Sequence, residues 1–73
     1  MSKSTRLAIF GERLRRLLDK RDMKQKDLAE KLGLNESTVS NYVNGRVPGH
    51  ETVGRIADFF GVSTDYLYGR EDE

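Results

Sequence analysis

The chain contains no cysteine and no tryptophan, and only one proline and one histidine. Without cysteine there is no disulfide to hold the fold and no thiolate to act as nucleophile, redox centre or metal ligand. A single histidine, His50, cannot build a metal site alone. No phosphate-loop glycine pattern is present, and acidic pairs occur only at helix-surface spacings. No enzymatic activity, cofactor or small-molecule ligand is expected. Long apolar runs are also missing, which excludes a membrane span and the apolar core of a signal peptide, so a cytoplasmic protein is expected. With 73 residues, the chain suffices for one small domain and leaves little room for a buried substrate cavity.

Charge is abundant, at 34 % of residues, yet the net charge is only +1. Three of the twelve acids are the final residues, Glu71, Asp72 and Glu73, so the rest of the chain is more basic than the total indicates. That is compatible with an anionic partner but does not single one out. Strand-like alternation never extends beyond a few residues. Helical stripes recur instead: Phe10, Leu14, Leu17 and Leu18, which Ser4 or Thr5 could cap; then Leu28, Ala29 and Leu32; then Val39, Tyr42 and Val43; then Val53, Ile56, Ala57 and Phe60. Ser63 can cap a short fifth turn, Thr64 to Tyr68, with Tyr66 and Leu67 inward. Glycines fall between these segments, at Gly33, Gly45, Gly61 and Gly69. The expected fold is all-α, a compact five-helix bundle in one domain spanning 1–73. Its core covers about 6–69, and the acidic tail 70–73 is expected to fray.

The join between the second and third segments, QKDLAEKLGLNESTVSNYVN, is the informative stretch. Ala29 is small where two helices must approach. Gly33 allows a left-handed turn residue. Leu34 plugs the turn, and Asn35 is a suitable N-cap for the next helix. This order of residues describes a helix-turn-helix. The third segment, STVSNYVNGR, carries a second stripe opposite its apolar one: Ser37, Ser40, Asn41 and Asn44. This outer face is polar, short and uncharged. Read alone, the stripe fits either a solvated surface or a recognition surface.

MKQKDLAEKLGL, STVSNYVNGR and the closing ETVGRIADFFGVSTDYLYG together resemble the phage-repressor-like helix-turn-helix family, the Cro and lambda-repressor type of bacterial and phage regulator. The resemblance covers roughly Ile9 to Gly69. It implies a lambda-repressor-like fold and sequence-specific binding of duplex DNA, most commonly for repression, by a two-fold dimer on a pseudo-palindromic operator. The second helix would cross the backbone, and the recognition helix, about 36–44, would enter the major groove. Ser37, Thr38, Ser40 and Asn41 would then face base edges, where an Asn can pair with adenine N6 and N7 and a Thr methyl can touch a thymine methyl. Glu36, where relatives often place Gln or Lys, could accept from cytosine N4 but is read here as supporting the helix N-terminus.

Gln25 matches the family's phosphate-binding Gln. Lys24 stands where a capping hydroxyl is usual; it forfeits about 1 kcal/mol of capping but puts a cation at the phosphate. Asn44 matches the second backbone clamp, with Arg46 beside it as a further phosphate contact. A helix beginning near Gly49 could aim free amides at the same strand. His50 is read as an exposed loop residue. Arg13, Arg15, Arg16, Lys20 and Arg21 read as a solvated helix face, from which Arg15 could reach DNA. Many relatives bury an Arg–Glu pair where this chain has Leu18 and Val43, so these two are expected to lie close together in the core. Phe59 and Tyr68 fall off their apolar stripes. They are the candidates for a homodimer contact that is weak off DNA, with packing under the fifth helix as the alternative for Phe59. A protein-docking or targeting module on the same fold is the functional alternative.

Overall fold

The computed structural model describes the backbone of residues 5–70 and the side chains from Ile9 to Arg70. Ser4, the side chain of Thr5 as the other candidate cap, and the tail residues 71–73 lie outside the described residues. The described chain is all-helical: α1 (Thr5–Lys20), α2 (Gln25–Leu32), α3 (Glu36–Val43), α4 (His50–Phe60) and α5 (Thr64–Tyr68). None of these helices is long and apolar enough to cross a membrane. Helices this short are marginal in isolation, so mutual burial must hold them. One apolar cluster does so. Phe10, Leu14, Leu28, Val39, Val53, Ile56 and Leu67 are almost wholly buried, and each helix contributes at least one of them.

α3 packs against both α1 and α2, and α5 against α1 and α4. Phe10 meets Tyr42 edge-on, with ring centroids 6.5 Å apart. Leu18 and Val43 are both buried in the cluster. The part of α1 set directly against the main chain of Val43 is Gly11. A Cβ there would overlap the Val43 carbonyl oxygen and lie 3.1 Å from that of Tyr42.

The helix-turn-helix join forms as its residues dictate. Gly33 takes φ 72°, and its successor Leu34 donates to the Ala29 carbonyl at 2.8 Å, closing α2. Ala29 is buried. Ser63 caps α5, accepting from the Tyr66 N–H at 3.1 Å. Two termini depart from expectation. Asn35 sits at the N-cap of α3 with extended backbone, but its side chain accepts no capping bond. α1 ends without glycine: Asp22 adopts φ 56°, and Met23 N–H reaches back to the Leu18 carbonyl at 2.9 Å. Asp tolerates this left-handed conformation better than most residues.

Arginines close other ends. Arg55 of α4 donates to the Leu32 carbonyl at 2.7 Å, where α2 leaves carbonyls free, and so ties α4 to the helix-turn-helix. Arg21 reaches the Phe59 carbonyl at 3.5 Å near the end of α4. Of the expected tail, Arg70 is tied back: its N–H donates to the Asp65 carbonyl at 2.8 Å and its guanidinium lies 3.4 Å from the Asp65 carboxylate.

Candidate nucleic-acid interface

α3 turns Val39 and Val43 into the core and its opposite stripe to solvent. Ser37 and Asn41 are exposed at the centre of the outer face, with Asn44 just beyond the helix end. Thr38 and Ser40 are half-buried at its flanks, as a 100° step per residue requires. Among the described residues, none of these five side chains has a hydrogen bond within the chain. Their donors and acceptors are free for a ligand. Glu36 opens the helix, exposed in its first turn, where a carboxylate suits the helix dipole.

Phosphate candidates frame this face. Lys24 and Gln25, at the start of α2, line a shallow depression shared with Arg15 and Glu36. At the other end of α3, Asn44 and Gly45 line a second depression with Glu12 and, again, Arg15. Arg46 is exposed in the following loop, whose backbone is fixed by the Arg46 N–H donating to the Asn41 carbonyl at 3.0 Å. Gly49 is the exposed N-cap of α4, where no side chain covers the first amides. The missing hydroxyl at Lys24 is half replaced. Asp27, in the third position of α2, accepts from the Lys24 N–H at 3.0 Å. An ammonium has no acceptor, so the reciprocal half of the capping box cannot form.

His50, expected in a loop, is the first residue of α4. Its ring stands edge-on to Tyr68, with Nδ1 3.5 Å from the hydroxyl. Of the residues read as a solvated face, Arg13 lies over the Tyr66 ring at 4.5 Å and Arg21 over Phe59 and Phe60. Phe59 is half-buried against Phe60, with centroids 5.0 Å apart, and Tyr68 is half-buried between His50 and Arg70. Tyr68 thus stands beside the first residue of α4, whereas Phe59 is the last residue but one of that helix.

Sequence reasoning missed Gly11, which sets the distance between α1 and α3, and Asp27, which replaces part of the absent cap. Glycine inside a helical stripe and an acid three residues after the cap position were the available signals. No group of three His, Cys, Asp or Glu able to hold a metal occurs among the described residues.

A bundle whose second and third helices join through Gly33 and Leu34, with a polar, unpartnered face on the third, defines a helix-turn-helix protein. The helix-turn-helix family model matches residues 14–67, and the chain belongs to the phage-repressor-like branch of that family. It is 36 % identical over 64 residues to the HTH-type transcriptional regulator ImmR of Bacillus subtilis (strain 168), covering 86 % of this chain and 50 % of the relative. To the repressor protein CI of Enterobacteria phage phi80 it is 34 % identical over 65 residues, covering 89 % of this chain and 28 % of the relative. The chain therefore spans half or less of the length of these relatives. No solved structure matches it at a significant level.

Proposed function

We propose that this domain binds duplex DNA sequence-specifically and acts as the DNA-reading part of a transcriptional repressor. The outer face of α3 carries the reading. Its short Ser, Thr and Asn side chains have no partners among the described residues, and phosphate-binding residue types stand at both of its ends. Short polar side chains suit base edges because they can approach closely, donate and accept, and lose little rotamer entropy. In this reading Ser37, Thr38, Ser40 and Asn41 meet bases, and Lys24, Gln25, Asn44 and Arg46 hold the backbone. Similarity to proteins named as a transcriptional regulator and a repressor favours control of transcription, with repression the preferred sense.

Selection of duplexes from a random pool tests the proposal. It is expected to return a preferred half-site, repeated with two-fold symmetry. An unenriched pool would refute sequence-specific binding. Arg46→Ala is expected to weaken operator and random duplex alike and to reduce the slope of log K against log salt by about one unit. A titration series over salt concentration measures both effects. A loss confined to the operator would make Arg46 a base contact instead.

A single small domain covers only a few base pairs, so useful specificity calls for two copies with recognition helices about 34 Å apart. The domain is expected to pair weakly in free solution and as a dimer on operator, with Phe59 and Tyr68 contributing to the contact. Sedimentation of Phe59→Ala and Tyr68→Ala, with and without operator, is expected to show weaker pairing. A folded variant that pairs as well as the parent removes its residue from the interface.

A further inference from the structure

The cap that ends α2 leaves one carbonyl over. Gly33 N–H returns to the Glu30 carbonyl at 3.3 Å and Leu34 N–H to that of Ala29 at 2.8 Å. The Leu32 carbonyl takes its bond from α4 instead, where the Arg55 guanidinium donates to it at 2.7 Å. A cation at the carbonyl end of a helix is favoured by the helix dipole, and its charge strengthens the bond. Among the described residues this is the one side-chain hydrogen bond between α4 and the helix-turn-helix, and Arg55 forms no ion pair. α3 packs on α1 and α2, whereas α4 packs chiefly on α5. Arg55 lines neither of the depressions beside α3.

The other end of α2 carries Lys24 and Gln25, given above the task of holding the sugar–phosphate backbone. α2 has eight residues and is about 12 Å long, so a tilt at its carbonyl end moves its first residues. We infer that Arg55 is a positioning residue of the interface: its bond to the Leu32 carbonyl fixes the angle of α2 and thereby places Lys24 and Gln25. Leu28, Ala29 and Leu32 keep α2 in the core without that bond, so its loss falls on where the phosphate-binding end points. Arg46, by contrast, is held from α3, through its N–H on the Asn41 carbonyl. This inference rests on the DNA-binding reading proposed above.

The test is titration of selected operator over a range of salt concentrations. Arg55→Met and Arg55→Gln both lose the bond, the first for want of a donor and the second for want of length. Arg55 is exposed, so both are expected to fold, and thermal melts check this. Each is expected to bind about tenfold more weakly than the parent, the loss of one charge-assisted contact. The slope of log K against log salt is expected to fall by about one unit. Arg55→Lys keeps a cationic donor and is expected to restore both. Lys31→Ala removes the neighbouring exposed cation without touching the bond and is expected to change neither. A double-mutant cycle decides. In a Lys24→Ala/Gln25→Ala background, Arg55→Met is expected to cost less than about twofold, because the contacts it misplaces are already gone. In an Arg46→Ala background its full cost is expected to persist. Parental affinity in folded Arg55→Met overturns the inference and leaves the DNA-binding reading standing. A loss that adds in full to that of Lys24→Ala/Gln25→Ala also overturns it. A parent chain that binds no duplex removes both readings together.

Discussion

Gly11→Ala is expected to destabilise the domain by about 2 kcal/mol, and Gly54→Ala to stabilise it by about 0.5–1 kcal/mol. Both glycines lie inside helices, α1 and α4, so alanine brings the same propensity gain of up to about 1 kcal/mol at each. Their surroundings decide the sign. A Cβ at Gly54 meets nothing within 4 Å. A Cβ at Gly11 overlaps the Val43 carbonyl oxygen and lies 3.0 Å from the carbonyl carbon. Those are backbone atoms, and no rotamer change can move them aside. The helices must separate, and the cost of overpacking, about 1–3 kcal/mol or more, exceeds the propensity gain. A domain of this size has roughly 4–11 kcal/mol of stability in all. The melting temperature should fall by roughly 10 °C in Gly11→Ala. Displacing the C-terminal end of α3 also moves Asn41 and Asn44, so operator binding should weaken even where the variant is folded. Thermal melting of the pair measures the effect. A Gly11→Ala variant as stable as the parent would mean that α1 and α3 do not approach as closely as described.

Asn41→Ala is expected to cost about 1–3 kcal/mol of binding, roughly 5- to 150-fold, on the selected operator. Random duplex should be bound as by the parent. Asn41 is exposed on the outer face of α3, and its side chain has no partner among the described residues, so truncation is expected to leave the fold intact. An Asn amide offers one donor and one acceptor in the plane that adenine N7 and N6 present in the major groove. Alanine forfeits both bonds and should relax the choice of base at one operator position only. Competition between operator variants differing at single positions measures this. Equal losses on operator and random DNA would place Asn41 on the backbone.

The helix-turn-helix was legible in the sequence because its signals are local. Leu28, Ala29 and Leu32 give the period, Gly33 the left-handed turn, and Val39 with Val43 the buried side of the next helix. The polar face of α3 was legible for the same reason, since one helix's periodicity sorts its own residues. What escaped depends on partners distant in sequence. Gly11 reads as a mere weakness in a helical stripe until Val43 is set against it. Arg13 and Arg21 read as members of one solvated charged run, yet Tyr66, Phe59 and Phe60 engage them. Caps were legible only in part. Ser63 behaves as its type predicts, whereas Asn35 does not use its side chain and Asp22 ends α1 in place of a glycine. Competing local hydrogen bonds and tertiary approach decide those ends, and neither is encoded in a single residue type.

The face of α3, framed by its basic ends, is proposed to read duplex DNA. Titration of labelled duplex at several salt concentrations tests it most directly. Weak binding to random duplex and tighter binding to operator are expected, with log K falling linearly and steeply against log salt for both. Absence of duplex binding, or binding with no salt slope, would contradict it and make the same fold a protein-docking module.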